Sequence, residues 1–158
     1  MKPEDPVRIA GEQLQSRGMA GPWVRTHGEI RQAIAVEFPR GRLSSWFVPV
    51  TSSDRLLGFF ELRPDLTLIR YSSFQHREAE TESCPAVADW TDPATILARA
   101  AKLQRPDETA ETPYLSYDAF PSRLAWAVPV SVPAGQQRII FVAGESVFEG
   151  RAPEEFTG

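Results

Sequence analysis

His76, Glu78, Glu80 and Glu82 alternate along one polar stretch, and Cys84 follows two residues on. On a strand the first four would project from one face. One imidazole and three carboxylates so placed could hold a divalent metal and support a metal-assisted hydrolysis. The competing reading is a solvated acidic connection, because Gln75-His-Arg-Glu-Ala-Glu-Thr-Glu-Ser-Cys-Pro85 offers no apolar face to pin it onto a sheet. A Cys84–His76 thiol–imidazole pair would need an electropositive setting to lower the thiol pKa. Glu80 and Glu82 supply the opposite field. Gly144-Glu-Ser-Val-Phe148 begins like the nucleophile elbow of a serine hydrolase but carries Phe148 where the second glycine is needed. GxGxxG, GxxxxGK and HExxH patterns are absent, and Glu154-Glu155 sits in a polar tail. The chain is therefore expected to be non-catalytic, with no metal-binding residue and no cofactor.

Charge narrows the partners. Seventeen Lys and Arg stand against 21 Asp and Glu, a net charge of −4, and the densest basic cluster is only Arg40 and Arg42. Nucleic-acid binding needs a concentrated basic patch, so no nucleic-acid partner is expected. No apolar run approaches the roughly 18 residues of a membrane-spanning helix, so no membrane insertion is expected. The first residues, Met-Lys-Pro-Glu-Asp-Pro, contain no apolar core of a secretion signal. As it stands the chain reads as cytoplasmic, or as extracytoplasmic if a signal has been removed. The single cysteine excludes an internal disulfide framework.

The elements that must position any site are written twice. Phe38-Pro-Arg-Gly-Arg-Leu-Ser-Ser-Trp-Phe-Val-Pro-Val50 returns eighty residues later as Phe120-Pro-Ser-Arg-Leu-Ala-Trp-Ala-Val-Pro-Val130. With two one-residue gaps, Phe-Pro, Arg-Leu, Trp and Val-Pro-Val all match. Asp5-Pro6 and Asp92-Pro93 each offer a capping carboxylate followed by proline at the first helical position. The spacing predicts helices over 6–17 and 93–104, with an irregular stretch over 19–28. Period-2 alternation predicts strands over 30–38, 45–50, 56–62 and 66–74, and again over 114–120, 124–132, 138–142 and 146–148. A short helix over 29–36 competes with the first of these. Residues 107–112 read as a loop, and the tail from Glu149 as polar and frayed.

The fold expected is α+β, in two pseudo-repeats, each a helix packed on an antiparallel meander of three to four strands. The first repeat covers 1–76, an acidic connection 77–91 and the second repeat 92–158, together one pseudo-symmetric domain. Trp46 and Trp126 are equivalent in this scheme. Each heads an alternating apolar face, which reads as core packing, or as a paired aromatic platform for a peptide or apolar ligand. Pro49 and Pro129 are equivalent too. Proline cannot donate to a ladder, so each marks an edge or a bulge, either blunting that edge or shaping it for a peptide.

Around these strands the chain resembles a PepSY-type unit: a helix, a Tyr-rich strand, then a strand with an aromatic residue followed by alternating branched residues. Tyr114-Leu-Ser-Tyr117 followed by Leu124-Ala-Trp-Ala-Val128 carries the match. It covers Asp92 to Val142 well and Asp5 to Phe74 more loosely. The family's closing Asp-x-x-(Thr/Ser)-Gly turn is missing after Phe74 and survives distantly as Ala143-Gly-Glu-Ser146. The resemblance implies a cystatin-like α+β unit, commonly extracytoplasmic, that binds or restrains peptidases and carries no catalytic residues. The expected function is thus a binding or regulatory module for a protein or peptide partner, a peptidase being one such partner. Trp46, Trp126, Pro49, Pro129, Tyr114 and Tyr117 are its candidate contact residues. The alternative is a small-molecule or apolar-ligand binder with a pocket between helix and sheet.

Overall fold

The computed structural model describes residues 4–16, 19–118 and 123–150. These residues form ten strands and four helices, an α+β protein, and the chain divides into two compact units. The first holds residues 1–35 and 43–87, the second 36–42 and 88–158.

In the first unit α1 (Glu4–Gln15) turns Ala10 and Leu14 inward, one helical turn apart, and packs on β3 (Leu43–Ser52). α2 (Pro22–His27) follows, where an irregular stretch was expected. Pro22 sits at its first position, where the missing N–H costs nothing, and Trp23 stacks on His27 at 4.4 Å. The expected 30–38 strand divides into β1 (Glu29–Ile30) and β2 (Ile34–Glu37), with Val36 and Glu37 in the second unit. β3, β4 (Arg55–Leu62) and β5 (Leu68–Ser73) form an antiparallel meander, and β1 pairs with the far side of β3. Val48, Val50, Leu57, Phe60 and Leu62 join the helical residues and Cys84 in the core. Each fully buried branched or aromatic side chain contributes about 1.5–3 kcal/mol. Phe47 and Phe59 lie buried on the alternate register, 4.7 Å apart, so β3 and β4 are apolar on both faces.

The second unit begins with α3 (Ala88–Thr91) inside what reads as acidic connection, then α4 (Pro93–Ala100). α4 ends four residues short of the predicted 104, in turns over 101–103, and rests Ile96 and Ala100 against the sheet. β6 (Thr109–Ala110) interrupts the expected loop. β7 (Tyr114–Tyr117), β8 (Leu124–Ser131), β9 (Gln137–Ala143) and β10 (Ser146–Gly150) form an antiparallel meander, with β6 also on β8. The predicted end of the Tyr strand at 119–120 and the tail from 151 lie outside the described residues, whereas Glu149 and Gly150 belong to β10. The opposite edge of β7 carries a parallel neighbour, β2, with Val36 opposite Leu115.

Inside each unit the ladders share a register. Glu29 pairs with Thr51 and Ile30 with Val50; Thr109 pairs with Ser131 and Ala110 with Val130, every number 80 higher. Trp46 faces Leu62 and Trp126 faces Val142, while Pro49 faces Phe59 and Pro129 faces Ile139. The carbonyl of Pro49 accepts from Arg31 N (3.0 Å) and that of Pro129 from Glu111 N (2.9 Å). The last hairpins differ, with Phe60 opposite Tyr71 but Ile140 opposite Glu149, because residues 63–67 connect the first and only Gly144-Glu145 the second.

Candidate functional site

β7 carries two of the sequence candidates, Tyr114 and Tyr117, together with their contacts. Its side chains alternate, Tyr114 and Ser116 to one face, Leu115 and Tyr117 to the other, and all four are buried. On one side β8 holds it through four consecutive pairs from Tyr114↔Ala127 to Tyr117↔Leu124. On the other side lies the segment 36–42. Val36 pairs with Leu115, and the Ser116 hydroxyl donates to the Glu37 carbonyl at 2.6 Å. The Phe38 ring meets Tyr117 edge to face, 5.5 Å between centroids at 73°. The Arg40 guanidinium lies 5.4 Å from the centre of the Tyr114 ring, and its Nη1 is 3.6 Å from Glu111 Oε2.

The segment holds its own shape. Arg42 N donates to the Pro39 carbonyl and Phe38 N to the Arg42 carbonyl, both at 3.0 Å. The Glu37 carboxylate accepts the Gly41 N–H at 2.7 Å, and Gly41 takes φ of 87°, a conformation that favours glycine. The result is an extended strand ending in a tight turn, with an aromatic and a basic side chain presented to two tyrosines.

Glu111 is placed by a clamp behind it. The Glu108 carboxylate accepts from Arg138 Nε and Nη2 and from Arg105 N, each at 2.7 Å. The Arg138 guanidinium holds the Glu108 carboxyl down at about 2, against its ordinary 4.5. Arg138 also donates to the Leu103 carbonyl, and β6 then carries the chain to Glu111. Glu111 accepts a further bond from Gln137 Nε2 at 2.8 Å.

The remaining candidates lie elsewhere. Trp126 is 5% exposed, and its indole N–H donates to the Trp90 carbonyl at 3.0 Å. Trp46 packs half-buried against the first unit's core. The Trp126 ring therefore presents no open face for a platform. Pro49 and Pro129 are buried inside their sheets rather than on outer edges, each opposite a break in the neighbouring strand, after β1 and after β6. A register shift falls between Val50 and Thr51, next to Pro49, and none is found in the β8–β9 ladder at Pro129.

Residues 76–83 are bends and turns, not a strand, so the alternation of His76, Glu78, Glu80 and Glu82 puts no four side chains on one face. Glu78 instead accepts the Trp23 N–H at 2.9 Å. Among the described residues no three His, Cys, Asp or Glu side chains gather as a metal site. Burial pushes the Cys84 thiol pKa up, with Glu80 acting in the same direction. A pocket of about 360 Å3 opens beside α2 and β5, lined by Met19, Val24, Tyr71, Ser73, His76 and Arg77 among others.

Phe38, Arg40, Ser116 and Glu111 are the contact residues that reading the sequence alone leaves out. Two signals pointed to the first two: Phe38-Pro39 belongs to the repeated motif, and Arg40 to the densest basic cluster. Comparison with protein-family models, with curated proteins and with solved structures gives no match. No helix among the described residues is long and apolar enough to cross a membrane.

Proposed function

We propose that the chain is a non-catalytic binding module that recognises an extended segment of a protein or peptide partner along β7. The observation that carries this reading is that β7 already holds such a segment, 36–42, through a parallel pairing, a hydroxyl-to-carbonyl bond and two tyrosine contacts. Strand addition to a sheet edge draws affinity from the main chain and specificity from alternate side chains. The raised Cys84 pKa and the His27 ring, stacked on Trp23 with Nδ1 2.9 Å from the Trp23 carbonyl, suit packing rather than nucleophilic chemistry.

The shared register supports reading the two units as diverged copies of one helix-plus-meander element. In that reading only the second copy carries tyrosines at the four positions of β7, where the first has Ile34–Glu37. The PepSY-like pattern makes peptidases a natural class of partner to assay.

The test is a displayed library of extended decapeptides selected against the full chain carrying Phe38→Ala and Arg40→Ala, which weakens the segment's hold. Selected peptides should lose binding in Tyr117→Ala and in Glu111→Gln. Selections that enrich nothing, or peptides indifferent to both substitutions, would discard the reading.

A further inference from the structure

We infer that the pocket beside α2 and β5 binds a small organic carboxylate with an apolar body. This is a second site, independent of β7, and residues 19–24 and 71–78 of the first unit form it.

Its volume of about 360 Å3 lies at the small end of ligand sites, which run from about 300 to 1,000 Å3. Met19, Val24 and Tyr71 supply an apolar wall. Val24 is buried and fixed, whereas Met19 is exposed and unbranched, so its thioether can fold over a ligand. Tyr71 is held on β5 opposite Phe60, with the two rings 4.8 Å apart. Gly58 makes room for that ring: a Cβ there would stand 2.7 Å from the Tyr71 hydroxyl and 3.0 Å from Cζ.

The polar groups of the lining fall into two sets. Two acceptors are in use: Glu78 Oε1 accepts the Trp23 N–H at 2.9 Å, and Ser73 Oγ accepts the Gln75 N–H at 3.1 Å. Three donors are not. Neither the Arg77 guanidinium nor the His76 ring has a hydrogen-bond or ion-pair partner among the described residues. The Tyr71 hydroxyl is buried and makes no hydrogen bond, although Ser73 lies beside it. Burial raises its pKa, so it stays protonated and remains a donor. A buried hydroxyl without a partner costs stability, which an incoming acceptor recovers. Either tautomer of His76 keeps one N–H, and the guanidinium fork matches the two oxygens of a carboxylate. Unengaged donors beside an apolar wall select an anionic head on an apolar body. Glu78 adds an opposing charge to the same lining, so a monoanion fits better than a doubly charged phosphate.

The experiment is ligand-observed NMR titration of the full chain with phenylacetate, 3-phenylpropionate and hexanoate. At least one of the three should bind at millimolar concentration or below. Its primary amide, with the same body and no charge, should bind about tenfold more weakly, the worth of one hydrogen bond to a charged group. Acetate, a head without a body, should not bind. Arg77→Gln, a change at an exposed position, should weaken the bound acid about tenfold. Lys102→Gln, exposed on the second unit, should leave its affinity unchanged. Tyr71→Phe should weaken the acid while leaving the melting midpoint of the unliganded chain unchanged or raised, a split that a merely structural tyrosine does not produce. No binding by any of the three acids, equal binding of acid and amide, or indifference to Arg77→Gln would overturn the inference.

Discussion

Position for position, the meanders of the two units carry different side-chain pairs on one register. In the first, Glu61 faces Phe47 across one ladder and Arg70 across the other; in the second, Phe141 faces Ala127 and Phe148. Glu61 is buried, with the Ser45 hydroxyl donating to it at 2.7 Å and Arg70 Nε at 3.0 Å, while Arg70 also covers the Phe59 ring. Phe141 simply stacks on Phe148 at 5.7 Å. The exchange runs the other way at a second pair of positions. Glu108 and Arg138 form the clamp of the second unit, where the first unit has Gly28 and Gly58 at numbers 80 lower. A side chain on Gly28 would overlap the Val24 carbonyl and Val50, and one on Gly58 the Ser72 carbonyl and the Tyr71 ring. A buried ion pair is no better for stability than a well-packed apolar pair of similar size, provided each is fully satisfied. Register is therefore set by alternation and turns, and each unit is free to choose its own chemistry on that frame.

The tryptophans give the largest expected effects. Trp126→Ala should cost about 3–5 kcal/mol in chemical denaturation, because a buried ring and its hydrogen bond are both lost. Trp46→Ala should cost less, its ring being half-buried and its indole N–H having no partner among the described residues. Equal losses would erase the distinction. Next comes Glu61→Ala, expected to lose about 1–3 kcal/mol by removing the buried carboxylate that accepts from Ser45 and Arg70. A neutral result would mean the polar cluster is incidental. Finer still, Trp126→Phe should cost about 1 kcal/mol by removing the indole N–H bond to the Trp90 carbonyl, whereas Trp46→Phe should be neutral or stabilising. Reversed signs would show that the two indoles have been given the wrong environments.

Acid should separate the units as well. The folded Glu108 pKa, about 2, lies below its ordinary 4.5. Its contribution to stability is thus complete above the ordinary value and is lost as pH falls toward 2. The unaltered chain should lose stability over that window, and Glu108→Gln should flatten the loss. An unchanged pH profile in the variant would remove the clamp from the stability of the second unit.

The strands were legible because aromatic and branched residues alternate around Trp46 and Trp126 and polar turns bound them. α2 was missed because Gly21-Pro22 was read as a break, although proline is also a helix opener. β1 and β6 are two residues long, too short for any periodic signal. Glu61 announced itself only as a charge inside an apolar run. Tyr114 and Tyr117 stood out by resemblance, but their partners did not. Phe38 and Arg40 lie in what reads as a turn, and their meeting with β7 joins residues some eighty positions apart, beyond the reach of local pattern.

The most direct measurement is amide hydrogen exchange of the unaltered chain, compared between residues 36–42 and the β7–β8 ladder. The expected result is that 36–42 exchanges through a local opening, at a free energy well below that of Leu115 and Trp126, and becomes still less protected in Arg40→Ala. Protection of 36–42 equal to the β8 core, opening only with global unfolding, would contradict the reading of β7 as a recognition edge and make 36–42 a fixed strand of the fold.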